Sequence, residues 1–226
     1  MIEFKNISKV YNNSVNVLKD INLSIDNGEY VCIIGRSGSG KTTLAKLMTA
    51  EEKPTSGVIT IDDWDITKVK KKDIPSLRRQ IAVIFQDFRL LPKKTAKENI
   101  SFACEISGDF GVKMNSKIDQ LLQVVGLRDK ANNYPFEMSG GEQQRVAIAR
   151  ALAFNPSILI ADEPTGNLDS INTEGILTLL QDINNMGTTV ILITHDREIV
   201  NSLNKRIITI EDGRMASDKA KGKYLI

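Results

Sequence analysis

Gly35-Arg36-Ser37-Gly38-Ser39-Gly40-Lys41-Thr42 follows an apolar run, Tyr30 to Ile34, and precedes a stretch with helical spacing. The pattern G-x-x-x-x-G-K-[ST] is complete, and strand, loop and helix come in the order it requires. Each residue type has a physical task. Gly35, Gly38 and Gly40 let the backbone turn tightly and aim N–H groups inward. The helix starting near Lys41 turns its positive end toward an anion. The expected ligand is a nucleoside triphosphate, cradled by the backbone from Gly35 through Arg36, Ser37, Gly38, Ser39, Gly40 and Lys41 to Thr42 and Thr43. Lys41 is expected to reach the β- and γ-phosphates, and the Thr42 hydroxyl to ligate Mg²⁺. The loop alone does not choose between kinases, GTPases and motor ATPases.

Working outward, two more apolar runs, Ile158 to Ala161 and Thr188 to Ile193, predict buried strands of a parallel sheet, each followed by a polar turn. The first ends in Asp162-Glu163. Asp162 is placed to hold the Mg²⁺ shell and Glu163 to polarise an attacking water, which favours hydrolysis over transfer to an acceptor. The second ends in His195, the single histidine of the chain. Its place after a core strand, beside Asp196, points to a role in the site. Ile2 to Val10 and Val15 to Ile25 alternate as antiparallel strands do. Ile118, Leu121, Leu122 and Val125 predict one helix closed by Gly126, Gly140 to Phe154 a second ending before Asn155-Pro156, and Asn172 to Met186 a third closed by Gly187. These readings give a single domain over residues 1–226, with an α/β core at about 1–87 and 156–226 and a helical lobe at about 88–155. Lys219 to Ile226 are expected to be a loose tail.

The chain has 226 residues, 41% hydrophobic and 26% charged, with a net charge of +2. That balance suits a soluble globular domain and gives no sign of nucleic-acid binding. Cys32 and Cys104 have neither disulfide nor metal-ligand spacing and are expected to be structural thiols in a reducing compartment. No apolar run is long enough to span a membrane and no signal-peptide pattern is visible, so any membrane role is expected to run through a partner. The run Lys68, Lys70, Lys71, Lys72 is compatible with a solvated face, an anionic lipid surface or an acidic partner.

Met138-Ser139-Gly140-Gly141-Glu142 is the second strong signal. Ser139 and Glu142 predict a capping box. That does not account for two glycines in a first helical turn, where each costs about 1 kcal/mol of helix propensity. Glycines there let a phosphate approach bare N–H groups. With these residues MSGGEQQRVAIARAL (residues 138–152) and ILIADEPTGNLD (residues 158–169) resemble the ATP-binding-cassette (ABC) family over essentially the whole chain. Met138 stands for the usual leucine and Glu142 for the usual glutamine.

The resemblance implies a P-loop NTPase (RecA-like) core with an antiparallel β subdomain and an inserted α-helical subdomain. It implies that Tyr11 stacks on adenine, that Gln86 is a lid glutamine touching Mg²⁺, that Asn167-Leu168-Asp169 contacts a second copy, and that His195 is a switch histidine. It also implies a head-to-tail homodimer in the ATP-bound state, each ATP held between one P-loop and the other copy's Ser139, Gly140, Gly141 and Glu142. FQDFRLLP (residues 85–92), Ile74-Pro75 before Arg78-Arg79, and Gly187-Thr188-Thr189-Val190 leading to Thr194-His195-Asp196 resemble the bacterial cell-division branch of the family. The expected partner is then an FtsX-like integral membrane protein, contacted by Asp87 to Asn99, with the chain peripheral on the cytoplasmic face. In that segment Phe88, Leu90 and Leu91 read either as core or as a docking surface, and Lys97 stands where close relatives often carry an aromatic residue. Export, lipoprotein release and uptake complexes use the same ATPase class. Cassettes acting on DNA or ribosomes usually carry tandem domains or long insertions, which are not visible here.

Overall fold

Alternate residues of the central strands divide the interior into two cores. Tyr30, Cys32 and Ile34 join one apolar cluster, and Val31 and Ile33 join the other. Both faces of these strands are covered, which is why they read as unbroken apolar runs. In the computed structural model, residues 1–11 and 15–220 are described.

An antiparallel sheet of order β2-β1-β4-β5 is built from β1 (Ile2–Tyr11), β2 (Val15–Ile25), β4 (Ser56–Ile61) and β5 (Trp64–Asp65). The second sheet has the order β10-β9-β3-β8-β7-β6. It comprises β3 (Tyr30–Ile34), β6 (Ile81–Ile84), β7 (Ile158–Asp162), β8 (Thr189–Thr194), β9 (Arg206–Glu211) and β10 (Arg214–Lys219). Its pairings are parallel except for β9 with β10 at the edge. Helix α1 (Lys41–Met48) packs between the sheets, and α2 (Ile74–Gln80) leads into β6. Between β6 and β7 lie α3 (Ala96–Ser107), α4 (Gly111–Val124) and α5 (Gly140–Leu152). Then come α6 (Ser170–Asn185) and α7 (Arg197–Leu203). This is the P-loop NTPase architecture with an antiparallel subdomain.

Where the sequence predicts an element, the differences sit at its ends; β4, β5, β6, β9, β10, α2, α3 and α7 carry no expectation of their own. Helix α6 begins two residues before Asn172 because the Asp169 side chain caps it, accepting from Asn172 N–H at 2.8 Å. Lys219 is no tail residue: it pairs with Ile207 in the edge ladder. Of the expected tail, residues 221–226 lie outside the described residues. Cys32 and Cys104 are free and buried. Burial pushes the Cys32 thiol up to about 12, so it stays protonated and inert.

The segment from 91 to 95 owes its shape to one fully buried amide. Asn99 Nδ2 donates to the carbonyls of Leu91, Lys94 and Thr95 at 3.0–3.2 Å, and Oδ1 accepts from Leu91 N–H at 2.8 Å. A Thr95–Glu98 capping box starts α3 beside it.

Candidate active site

The parallel strands β3, β7 and β8 end at one cleft, as function-bearing turns do in open α/β sheets. The cleft measures about 480 Å³. It is lined by Val17, Ser37, Gly38, Gly40, Lys41, Thr42, Thr43, Gln86, Asp162, Glu163 and His195. Val17, on β2, carries no local signal that would have marked it, since only the packing of one sheet over the other brings it to the loop.

The loop's shape depends on its glycines in two ways. Gly40 has φ +105°, and a Cβ on Gly35 would fall 2.2 Å from the Ile210 carbonyl oxygen. Lys41 is buried, and its ammonium donates to the carbonyls of Gly35 at 2.8 Å and Arg36 at 3.0 Å. Burial lowers its pKa, against the opposing pull of Glu163 and Asp162. The Ser39 hydroxyl is buried inside the loop without a partner.

Asp162 Oδ1 is likewise buried and has no partner among the described residues. Burial raises the Asp162 pKa, partly offset by the neighbouring Thr42 side chain. A buried, half-satisfied carboxylate beside a hydroxyl is the donor set a hard cation takes. These residues therefore fit Mg²⁺. Among the described residues no cluster of three His, Cys, Asp or Glu side chains could hold a metal, so phosphate oxygens and waters would complete the shell.

Glu163 has φ +50°, an unusual backbone for a non-glycine residue and one that collects at functional sites. The strain is held by its N–H, which donates to the Ile193 carbonyl at 2.9 Å. Its carboxylate makes two contacts. Oε1 lies 2.6 Å from His195 Nδ1, and Oε2 accepts from the Thr194 hydroxyl at 3.2 Å. With Glu163 ionised, the His195 proton sits on Nδ1.

Gln86 is tied to the loop after Glu163 by a reciprocal pair. Its Nε2 donates to Asn167 Oδ1, and Asn167 Nδ2 donates to the Gln86 carbonyl, both at 3.1 Å. Only Oε1 of that side chain has metal-ligand chemistry. Tyr11 stands apart from the cleft lining. Burial and the nearby Glu52 carboxylate raise its pKa, and Lys9 Nζ lies 4.7 Å from its ring centroid.

Ser139, Gly140, Gly141 and Glu142 do not line the cleft either. They form the first turn of α5, with both halves of the capping box made: Glu142 N–H to Ser139 Oγ at 3.2 Å, and Ser139 N–H to Glu142 Oε2 at 2.8 Å. The box holds Glu142 back, and Lys130 lies 3.6 Å from Oε1, so its charge is compensated locally. Ser139 is exposed and its hydroxyl hydrogen is free to donate outward.

The second glycine has a reason the sequence did not reveal. A Cβ on Gly141 would fall 2.1 Å from Asn172 Oδ1, so packing against α6, not only access for a phosphate, requires it. Gly141→Ala is expected to destabilise the protein by about 1–3 kcal/mol in urea unfolding. Adding Asn172→Ala should recover only part of that, because the Asn172 Cβ itself would be 2.9 Å away. Full stability in the single variant would refute the clash.

Gln144 is a further residue to which sequence reasoning gave no role. It is fully buried, and its Nε2 donates to the Pro164 carbonyl at 2.7 Å and the Phe85 carbonyl at 3.4 Å. It joins α5 to the segments carrying Glu163 and Gln86.

Known proteins share this arrangement. The ABC transporter family profile matches residues 18–166. The cell division ATP-binding protein FtsE of Bacillus subtilis is 47% identical over 224 residues, 99% of this chain and 98% of its own length. FtsE of Mycobacterium tuberculosis is 46% identical over 99% of this chain and 98% of its length. FtsE of Escherichia coli K12 is 42% identical over 95% and 97%. Among solved structures, the cassette MJ0796, a dimer in a post-hydrolysis state bound to ADP and Pi, superposes with a TM-score of 0.88. It shows 36% identity and covers 99% of this chain and 100% of its own. The cbiO1 subunit of Clostridium perfringens gives 0.90 at 30% identity, covering 97% and 88%. A P-loop facing two strand-end carboxylates, a capped Ser-Gly-Gly turn outside their cleft, and near-full-length likeness to FtsE agree: the chain belongs to the ABC transporter family of ATP-hydrolysing cassettes.

Proposed function

We propose that the chain is the ATP-hydrolysing subunit of a cell-division membrane complex, working as a head-to-tail dimer beneath an FtsX-like integral membrane protein. One observation carries the dimer. The P-loop, Asp162, Glu163 and His195 share a cleft, while the exposed Ser139 and the half-buried Gly140 lie outside it. A second copy, turned head to tail, brings its Ser139 turn over the first copy's cleft.

In this reading the backbone from Gly35 to Thr43 cradles the phosphates of ATP, and Lys41 exchanges its two carbonyl partners for phosphate oxygens. Tyr11, with Lys9 over its ring, stacks on the adenine. Mg²⁺, held by Thr42, Asp162 and Gln86, would neutralise charge on the β- and γ-phosphates. Glu163 takes a proton from the attacking water, whose oxygen bonds to the γ-phosphorus as the bond to ADP breaks. His195 and Thr194 fix the carboxylate's direction. Ser139 of the other copy donates to the γ-phosphate.

The membrane partner would take the groove between α3, α5 and β6. This space of about 320 Å³ is walled by Phe85, Phe88, Leu91, Phe102, Ile106 and Phe154. Phe102 and Ile106 are half exposed there. Arg150 donates to the carbonyls of Phe88 and Arg89, so α5, with its Ser139 turn, and the groove wall move as one body.

The test of the dimer is a mixing experiment. Glu163→Gln and Ser139→Ala should each be nearly inactive alone. Mixed, they form a heterodimer with one intact site, so turnover should rise well above either parent. A mixture no faster than its parents would overturn the shared site. Copurification with a membrane protein, lost in Phe102→Asp, tests the groove.

A further inference from the structure

The lysine run of the sequence has a definite setting. Lys68 is taken up by Asp65 at 3.2 Å. Lys70, Lys71 and Lys72 are exposed and make no ion pair among the described residues. A turn closed by Asp73 N–H to the Lys70 carbonyl leads from them into α2, about 10 Å long. On α2, Arg78 and Arg79 spend their guanidinium groups on neutral carbonyls: Arg78 Nε on Thr49 at 3.0 Å, Arg79 Nη2 on Ile106 at 3.3 Å. Five cations thus fall within the ten residues 70 to 79, with Asp73 as the only carboxylate among them. This strip of sequence carries a net +4. The whole chain is +2, so everything else sums to −2. The basicity of the molecule is concentrated here.

The strip is continuous with the groove of the proposed membrane partner. Arg78 lines it, and Arg79 is bonded to Ile106, which also lines it. A chain held by that groove turns this edge toward the bilayer. Lys70, Lys71 and Lys72 line no cavity with the groove residues, and three neighbouring point charges on flexible stems suit an extended anionic surface better than a shaped peptide.

We propose that Lys70, Lys71, Lys72, Arg78 and Arg79 form a membrane-surface contact that takes the phosphodiester headgroups of anionic phospholipids. The contact rests on the membrane-partner reading for its orientation. It adds a second attachment to the complex, one that depends on lipid charge and is screened by salt.

The test uses the purified full chain sedimented with vesicles of phosphatidylcholine and phosphatidylglycerol in equal parts, against phosphatidylcholine alone. Binding is expected only to the mixed vesicles and should fall as salt is raised. The triple change Lys70→Ala, Lys71→Ala, Lys72→Ala should weaken it on the order of a hundredfold, about fivefold per lysine. ATP turnover should stay at the parent rate, and Lys→Arg at the same three positions should keep binding, which separates lost charge from misfolding. Equal binding to both vesicle types, or binding unaffected by the alanine changes, overturns the proposal. So does absence of vesicle binding together with loss of copurification in the alanine variant, which assigns the strip to an acidic protein. The vesicle measurement needs no membrane partner. If vesicles bind while Phe102→Asp copurifies normally, the groove reading alone is lost.

Discussion

Glu163→Gln is expected to bind ATP as the parent does, to remain in the closed dimer, and to turn over about 10²–10⁴-fold more slowly. The substitution keeps shape and volume and removes one capacity, that of accepting a proton. The geometry at this position supports the proposed role. The residue sits at φ +50°, held by the Ile193 carbonyl, and its two carboxylate oxygens are aimed by His195 Nδ1 at 2.6 Å and the Thr194 hydroxyl at 3.2 Å. An amide at the same place still accepts one of those bonds through its oxygen, so the loop should hold. Two measurements decide the matter: single-turnover hydrolysis and size-exclusion chromatography with ATP. A variant that hydrolyses at the parent rate would show that Glu163 is not the base. A variant that neither binds nor dimerises would show a structural role instead.

The sequence made the core strands, the phosphate loop and the strand-end acids legible for one shared reason. Each is a local pattern with a local cause: unbroken apolar runs for strands buried on both faces, and glycines where a backbone must turn against a neighbour. What stayed hidden is set across the fold. Val17 reaches the cleft only because one sheet packs over the other. Gly141 answers to Asn172 on a helix some thirty residues on, and Gln144 to the carbonyls of Phe85 and Pro164. Such contacts have long sequence separation and no periodicity. The start of α6 is legible in the sequence, since Asp is a favoured N-cap residue and Asp169 precedes the apolar-periodic run. In the structure Asp169 is the cap of α6.

Lys41→Ala should reduce ATP affinity on the order of a hundredfold, the scale of one charge-assisted contact to a phosphate plus the loss of counter-charge in a partly desolvated site. The structure adds a second consequence. Lys41 also closes the loop on itself through the carbonyls of Gly35 and Arg36, which the alanine leaves without their ammonium donor. Part of the loss could then come from a loosened cradle. Lys41→Arg separates the two effects. It keeps the charge, but a planar fork cannot reproduce a compact ammonium between two carbonyls 2.8 and 3.0 Å away. If charge alone matters, arginine restores most of the affinity. If the cradle's shape matters as well, arginine restores little, and both variants melt at lower temperature than the parent. Fluorescent-nucleotide titration beside thermal unfolding reads both quantities. Tight ATP binding retained in Lys41→Ala would remove the P-loop from the site and with it the assignment of Glu163, because the water that Glu163 activates is defined only by where the loop holds the γ-phosphate.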